Sequence, residues 1–179
     1  MVREIFGSIE VWNRELWQWM EVADAGLLLG RDEAAWSSLF GTGESPFAPV
    51  FAVDRGLPRD VSPSVRRWAG AEEYFGQTWA SVAELSDTDG NETATDPFVY
   101  CYGESDVTGQ WIPVGKYRPD PPHGASPGAV WREGKVQCRV RSVTRDEAVG
   151  AGFRLVRDIL IRLAQDYGDE HVRVVVWFN

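Results

Sequence analysis

The sequence predicts an α+β fold, and three observations predict it. Residues 5–12 alternate Ile5, Gly7, Ile9 and Val11 with Phe6, Ser8, Glu10 and Trp12, the period of two of a strand. Val149, Phe153, Val156, Leu160, Leu163 and Tyr167 recur at steps of four and three, which places them on one helix face. Residues 172–178, Val-Arg-Val-Val-Val-Trp-Phe, form a nearly continuous β-branched and aromatic run, as in a strand covered on both faces. Strands and helices are partly segregated along the chain. The expected architecture is a mixed or antiparallel sheet with an N-terminal hairpin, a central C-terminal strand, one long packed amphipathic helix over 144–167, and short helices. The 179 residues suit a single domain, 1–179, with a loop or hairpin insert at 87–143.

The elements follow in order. Asn13-Arg14 supplies a turn, and residues 16–20 read as the return strand of the hairpin. Residues 24–30 are a loop carrying Leu27-Leu28-Leu29. Asp32 can cap a helix over 33–40 that buries Ala35, Trp36, Leu39 and Phe40, and Gly41-Thr42-Gly43 ends it. Pro46 and Pro49 keep 45–57 extended. Ser62-Pro63 starts a helix by capping and by Pro in the first turn, with Val65, Trp68 and Ala69 on one face. Ser81 and Glu84 form a capping box that opens a helical turn ending at Leu85.

Residues 86–97 are a polar loop, 98–102 a strand, and Trp111-Ile112 a short extended piece. Eight Pro or Gly within 113–128 predict an irregular loop. Residues 130–143 read as a hairpin turning at Glu133-Gly134, with Val136, Cys138 and Val140 on one side of the second arm. Thr144 and Glu147 form a second capping box, and Gly168 stops the long helix.

Charge narrows the function classes. The net charge is −9, with 18 basic and 27 acidic residues. An acidic chain is a poor binder of nucleic-acid backbones, whose affinity comes from cationic neutralisation. Residues 68–115 hold nine acids and no Lys or Arg, which reads as a solvated surface, an acidic face for a basic partner, or a mimic of DNA. Of the 18 basic residues 16 are Arg, whose planar fork suits phosphate or carboxylate. No apolar run nears the roughly 20 residues of a membrane span, and Met1-Val2-Arg3-Glu4 opens no signal peptide, so a cytoplasmic, non-membrane protein is expected.

Catalytic signals are weak. His123 and His171 lack sequence neighbours that would complete a triad or a ligand set. Cys101 and Cys138 lack zinc spacing, and in a cytosolic chain they read as buried, reduced thiols. The acidic loop from Asp87 to Asp96 misses the glycine and the bidentate glutamate of a calcium loop. No cofactor or metal is expected, and no residue stands out as catalytic.

Nine tryptophans are the unusual feature. Trp36 and Trp177 read as core. Nine exceed what one small core needs, so some are expected to line a pocket or interface. Aromatic faces beside Arg hold nucleobases and phosphates, with stacking contributing about 1–3 kcal/mol per base. The candidate ligand-binding residues are Arg31, Trp36, Arg55, Tyr74, Gln77, Thr78 and Trp79, which sit where irregular backbone meets helix ends. Core packing or solvent exposure is the structural alternative for each.

Three stretches also carry a resemblance: 6–11 with Glu15-Leu16-Trp17; 55–65 (Arg-Gly-Leu-Pro-Arg-Asp-Val-Ser-Pro-Ser-Val) followed by 78–85; and 172–179. Together they resemble a family of small phage and prophage proteins, over residues 1–86 and 144–179. Gly30-Arg31-Asp32 is similar to the start of that family's first helix. The family often has His before its Ser-Trp turn, whereas this chain has Gly76-Gln77-Thr78. The resemblance implies a phage product acting in the bacterial host cytoplasm against host defence. The expected function is non-enzymatic sequestration of a small nucleotide-derived signal in an aromatic and Arg-lined pocket, with homo-oligomer symmetry as one way to complete it. The alternatives are an acidic inhibitor that binds a host defence protein, and a hydrolase of such a signal through His123 or His171.

Overall fold

The computed structural model describes residues 4–29, 38–41, 47–51, 55–71, 74–93, 98–104, 111–115, 126–133, 136–142, 144–149 and 151–179. It is an α+β fold whose chain divides into two compact units, Met1–Gly90 with Asp146–Asn179, and Asn91–Arg145.

The first unit is built on an antiparallel four-stranded sheet. Its strands are β1 (Ile5–Asn13), β2 (Gln18–Asp24), β3 (Phe75–Ser81) and β8 (Val172–Phe178), in the order β2-β1-β8-β3. The expected hairpin is present, but its return strand begins at Gln18, not Leu16. Asn13 is the reason: its Oδ1 accepts the backbone N–H groups of Glu15 and Leu16 at 2.9 Å each. This side-chain turn holds residues 14–17 out of the ladder. Trp17 sits there at φ +52°, 79% exposed.

β8 is central and buried at all seven positions, as its composition predicts. Its alternation feeds two cores. Val172, Val174, Val176 and Phe178 join Ile9 and Val11 under helix α5 (Ala151–Tyr167), against Phe153, Val156, Leu160 and Ala164. Val175 and Trp177 face the other way, onto Val61, Val65 and Ala69 of the segment containing α2 (Pro63–Ala69). Fully burying each such aliphatic or aromatic side chain contributes about 1.5–3 kcal/mol.

The helices show why local signals worked and where they did not. Short helix α1 (Gly26–Leu29) replaces part of the loop expected at 24–30, because Asp24 Oδ1 accepts the N–H of Gly26 at 2.8 Å. The Ser62 side chain caps α2, and Ser81 with Glu84 forms the complete capping box of α3 (Val82–Ser86). Trp68 departs from the expected α2 face. Val65 and Ala69, four apart, take the sheet-facing line of this seven-residue helix, and Trp68 is left 61% exposed.

The long helix is shorter than the expected 144–167. A separate turn, α4 (Arg145–Ala148), precedes it, and α5 starts at Ala151. Val149, in the bend between them, is buried. Gly168, at φ +96°, ends α5, and its N–H reaches the Ala164 carbonyl at 2.7 Å. Residues 38–40 are helical and Gly41 has φ +67°, while the rest of the helix expected at 33–40, with Trp36, lies outside the described residues.

The second unit is a four-stranded antiparallel sheet, order β5-β4-β7-β6. It contains β4 (Phe98–Glu104), β5 (Trp111–Gly115), β6 (Val130–Glu133) and β7 (Val136–Arg141). The hairpin expected at 130–143 is β6 and β7, with Cys138 and Val140 buried. Pro113 to Gly115, expected in a loop, belong to β5; this is an edge strand, where a proline is tolerated. Thr93 bridges Thr144, and the buried Arg145 donates to Glu92.

Candidate functional site

Arg173 is the one charged residue of β8, and it is 3% exposed. On the sheet it stands opposite Glu10 of β1 and Ser81 of β3. Its Nε donates to Glu10 Oε2 at 2.7 Å, and its Nη1 donates to Asp60 Oδ1 at 2.9 Å. Glu10 is fully buried, and its other oxygen accepts the backbone N–H of Ser62 at 2.8 Å, the residue that caps α2. A desolvated ion pair holds only when its remaining lone pairs and protons are matched. Glu10 meets that condition. Arg173 does not, because its buried Nη2 has no acceptor among the described residues.

Indole rings frame the same guanidinium. Its Cζ lies 3.7 Å from the Trp19 ring centroid and 5.8 Å from that of Trp79. Trp19 Nε1 donates to Asp60 Oδ2 at 2.8 Å. Trp12 packs edge-on against Trp19, with centroids 5.8 Å apart. The Arg55 guanidinium lies 4.3 Å from the Trp79 centroid, and it donates to the Trp79 carbonyl at 2.8 Å and to Glu84 at 2.9 Å. The result is a chain of contacts Trp19–Arg173–Trp79–Arg55 on one face of the sheet. Each guanidinium–indole contact contributes about 0.5–2 kcal/mol, more as it is desolvated.

Two carboxylates at the rim are tuned by this array. Partial burial pushes the Asp60 carboxyl up, but hydrogen bonds from Arg173 and Trp19 and the guanidinium charge outweigh it and hold the group below its ordinary value. Glu84 behaves alike: burial raises it, while Arg55 and the Ser81 backbone N–H lower it further.

The structure separates the expected site residues. Arg55 and Trp79 come together as described. Tyr74 is in the aromatic group of the second core, 5.1 Å from Phe6 and 6.4 Å from Trp177 between centroids. Gln77 follows Gly76, at φ +63°, where the β3 register shifts, and its Nε2 donates to the Ala69 carbonyl at the end of α2 at 3.1 Å. Thr78 is fully buried and pairs with Val176, so it points away from the face that carries Trp79. Arg31 and Trp36 lie outside the described residues. His123 does too, whereas His171 Nδ1 lies 3.1 Å from the Tyr167 carbonyl.

The sequence reading missed Glu10, Asp60 and Arg173. The available signal was a lone arginine inside an otherwise apolar strand, which needs a buried anion on a neighbouring strand. Elsewhere in the first unit a surface cleft of about 340 Å³ is lined by Val82, Leu85, Thr88, Asp146, Arg157 and Leu160, without any tryptophan. Its arginine is paired with Asp146 at 3.0 Å. Among the described residues no group of three or more His, Cys, Asp or Glu side chains is placed to hold a metal ion, and no helix is long and apolar enough to cross a membrane. No family model, curated protein or solved structure matches the chain.

Proposed function

We propose that the protein is a non-enzymatic binding protein that sequesters a small nucleotide-derived molecule. Arg55, Trp79, Arg173 and Trp19 would form its ligand-holding face. One observation supports this reading: two guanidinium–indole pairs, at 4.3 and 3.7 Å, joined through Trp79 on a single sheet face. Planar cations beside planar π-systems are the groups that hold phosphoryl oxygens and bases. Arg55 is the adaptable member. It is one-quarter exposed, and a base arriving at Trp79 takes its place over the ring while the guanidinium turns to the phosphate. The resemblance to phage proteins makes a host-defence signal the ligand class we propose. Competing with a host receptor requires nanomolar affinity, on the order of −12 kcal/mol.

The test is incubation of the purified protein with cyclic nucleotides and ADP-ribose-type signals, removal of unbound ligand, and heat denaturation. Release of unchanged ligand, lost in Trp79→Ala, supports sequestration. No retention rejects it, and release of a cleaved product replaces it with a hydrolase.

A second reading, an inhibitor that binds a host protein, is favoured by the hairpin tip. Leu16 and Trp17 are 57% and 79% exposed on a turn fixed by Asn13. Exposed Trp on a rigid turn is typical of a binding anchor. Retention of a host protein by the wild type but not by Leu16→Ser/Trp17→Ser would select this reading.

A further inference from the structure

The donors around Asp60 are far more deeply buried than Asp60 itself. Arg173 and Trp19 are 3% and 7% exposed, held by β8 and β2, and they offer Nη1 and Nε1 to the Asp60 carboxylate. The Asp60 side chain is 61% exposed. It stands on a surface turn whose backbone is fastened independently, by Val61 N–H to the Pro58 carbonyl at 3.1 Å and by Ser62 N–H to Glu10. The carboxylate can therefore leave by side-chain rotation alone. A guanidinium receives an oxyanion best through two parallel N–H groups. Asp60 reaches Nη1 only, and Nη2 stays buried without an acceptor.

We propose that Arg173 and Trp19 form an oxyanion-binding site which Asp60 fills as an internal stand-in, and that a singly charged phosphodiester ligand displaces it. Such a group satisfies Nη1, Nη2 and Trp19 Nε1 together. The charge follows from Glu10, which already neutralises Arg173 at 2.7 Å. A monoanion replaces the charge of Asp60 one for one. A dianionic phosphomonoester adds a second negative charge beside the buried Glu10 and is disfavoured. This deepens the sequestration reading, on which it rests for the larger ligand, by naming the group gripped at this end of the array.

The experiment uses dimethyl phosphate, which has no base, so its outcome is independent of whether a nucleotide is sequestered. The full chain and its Asp60→Ala and Asp60→Asn variants are titrated while the Trp19 indole N–H resonance is followed, assigned with Trp19→Phe. The expected result is a Trp19 shift in Asp60→Ala with affinity at least about tenfold above wild type, and weaker binding of inorganic phosphate at pH 8. Asp60→Asn, which preserves the side-chain shape, provides the same comparison if the alanine variant folds poorly. Equal affinity in wild type and the variants, or no movement of the Trp19 resonance, overturns the proposal. Binding of a nucleotide without any effect of dimethyl phosphate would leave sequestration standing and remove this site.

Discussion

Glu10 and Arg173 stand directly opposite each other on β1 and β8, 163 positions apart in the chain and joined by a 2.7 Å hydrogen bond inside the sheet. The pair fixes more than charge. Because Glu10 also accepts the Ser62 N–H, it ties the β1–β8 register to the start of α2. A one-residue slip of either strand would bury both charges apart.

Removing one partner should therefore cost far more than removing both. Arg173→Met leaves the Glu10 carboxylate buried without its cation, and the expected loss is about 3–5 kcal/mol of unfolding free energy. The double variant Glu10→Leu/Arg173→Met replaces both charges with apolar side chains, and part of that loss should return, short of the roughly 1–3 kcal/mol for the Ser62 N–H left without its acceptor. Denaturant unfolding of the wild type, Glu10→Leu, Arg173→Met and the double variant checks this. Equal destabilisation in single and double variants would show that the register does not depend on the pair.

The acid limb of stability should report the rim carboxylates. Asp60 and Glu84 are both held below their ordinary values of 3.8 and 4.5, so each contributes stability that is fully present above those values. The contribution is lost as pH falls through the lower, folded-state values. Asp60→Asn/Glu84→Gln should be less stable than wild type at pH 7 and should converge with it in acid. Denaturant midpoints from pH 7 to pH 2 test the sign, and curves that stay parallel would contradict it.

The elements legible in the sequence are those fixed by neighbours in the chain. The Ser81–Glu84 capping box, the Ser62 cap and the Gly168 stop each act within a few residues, and the composition of β8 alone predicts its burial. The array around Arg173 was not legible, since it assembles from β1, β2, the turn before α2, β3 and β8 and depends on strand register. Trp79 and Arg55 were expected in one site and do meet. Thr78, adjacent to Trp79, cannot share that face, because successive strand residues point to opposite sides. Gln77 looked like a ligand contact because nothing local revealed that the Gly76 irregularity aims it at the end of α2. The tip at Leu16 and Trp17 read as strand because its apolar pattern outweighed the Asn13 turn.

That tip gives a prediction of opposite sign to most substitutions. Trp17 adopts φ +52°, a left-handed conformation that disfavours a bulky side chain, and at 79% exposure it has little packing to lose. Trp17→Gly should hold the stability of the wild type or raise it by about 1 kcal/mol, since glycine takes this conformation without the Cβ clash but has more freedom when unfolded. A thermal melt checks this. A clear loss of stability would show that the indole is packed in solution.

Gly168 supplies the converse case. It lies at φ +96°, closing α5 and leading into the short 3₁₀ turn Asp169–His171 before β8. An added Cβ would meet His171 Nδ1 at 3.3 Å, a contact the ring can relieve by shifting slightly, so the main cost is conformational. Gly168→Ala should destabilise by about 1–3 kcal/mol. Gly56, at φ +75° with nothing within 4 Å of an added Cβ, isolates the backbone term. Gly56→Ala should therefore cost no more than Gly168→Ala in the same denaturant assay, and a larger cost at Gly56 would mean that the turn leading to Asp60 is more tightly constrained than the end of α5.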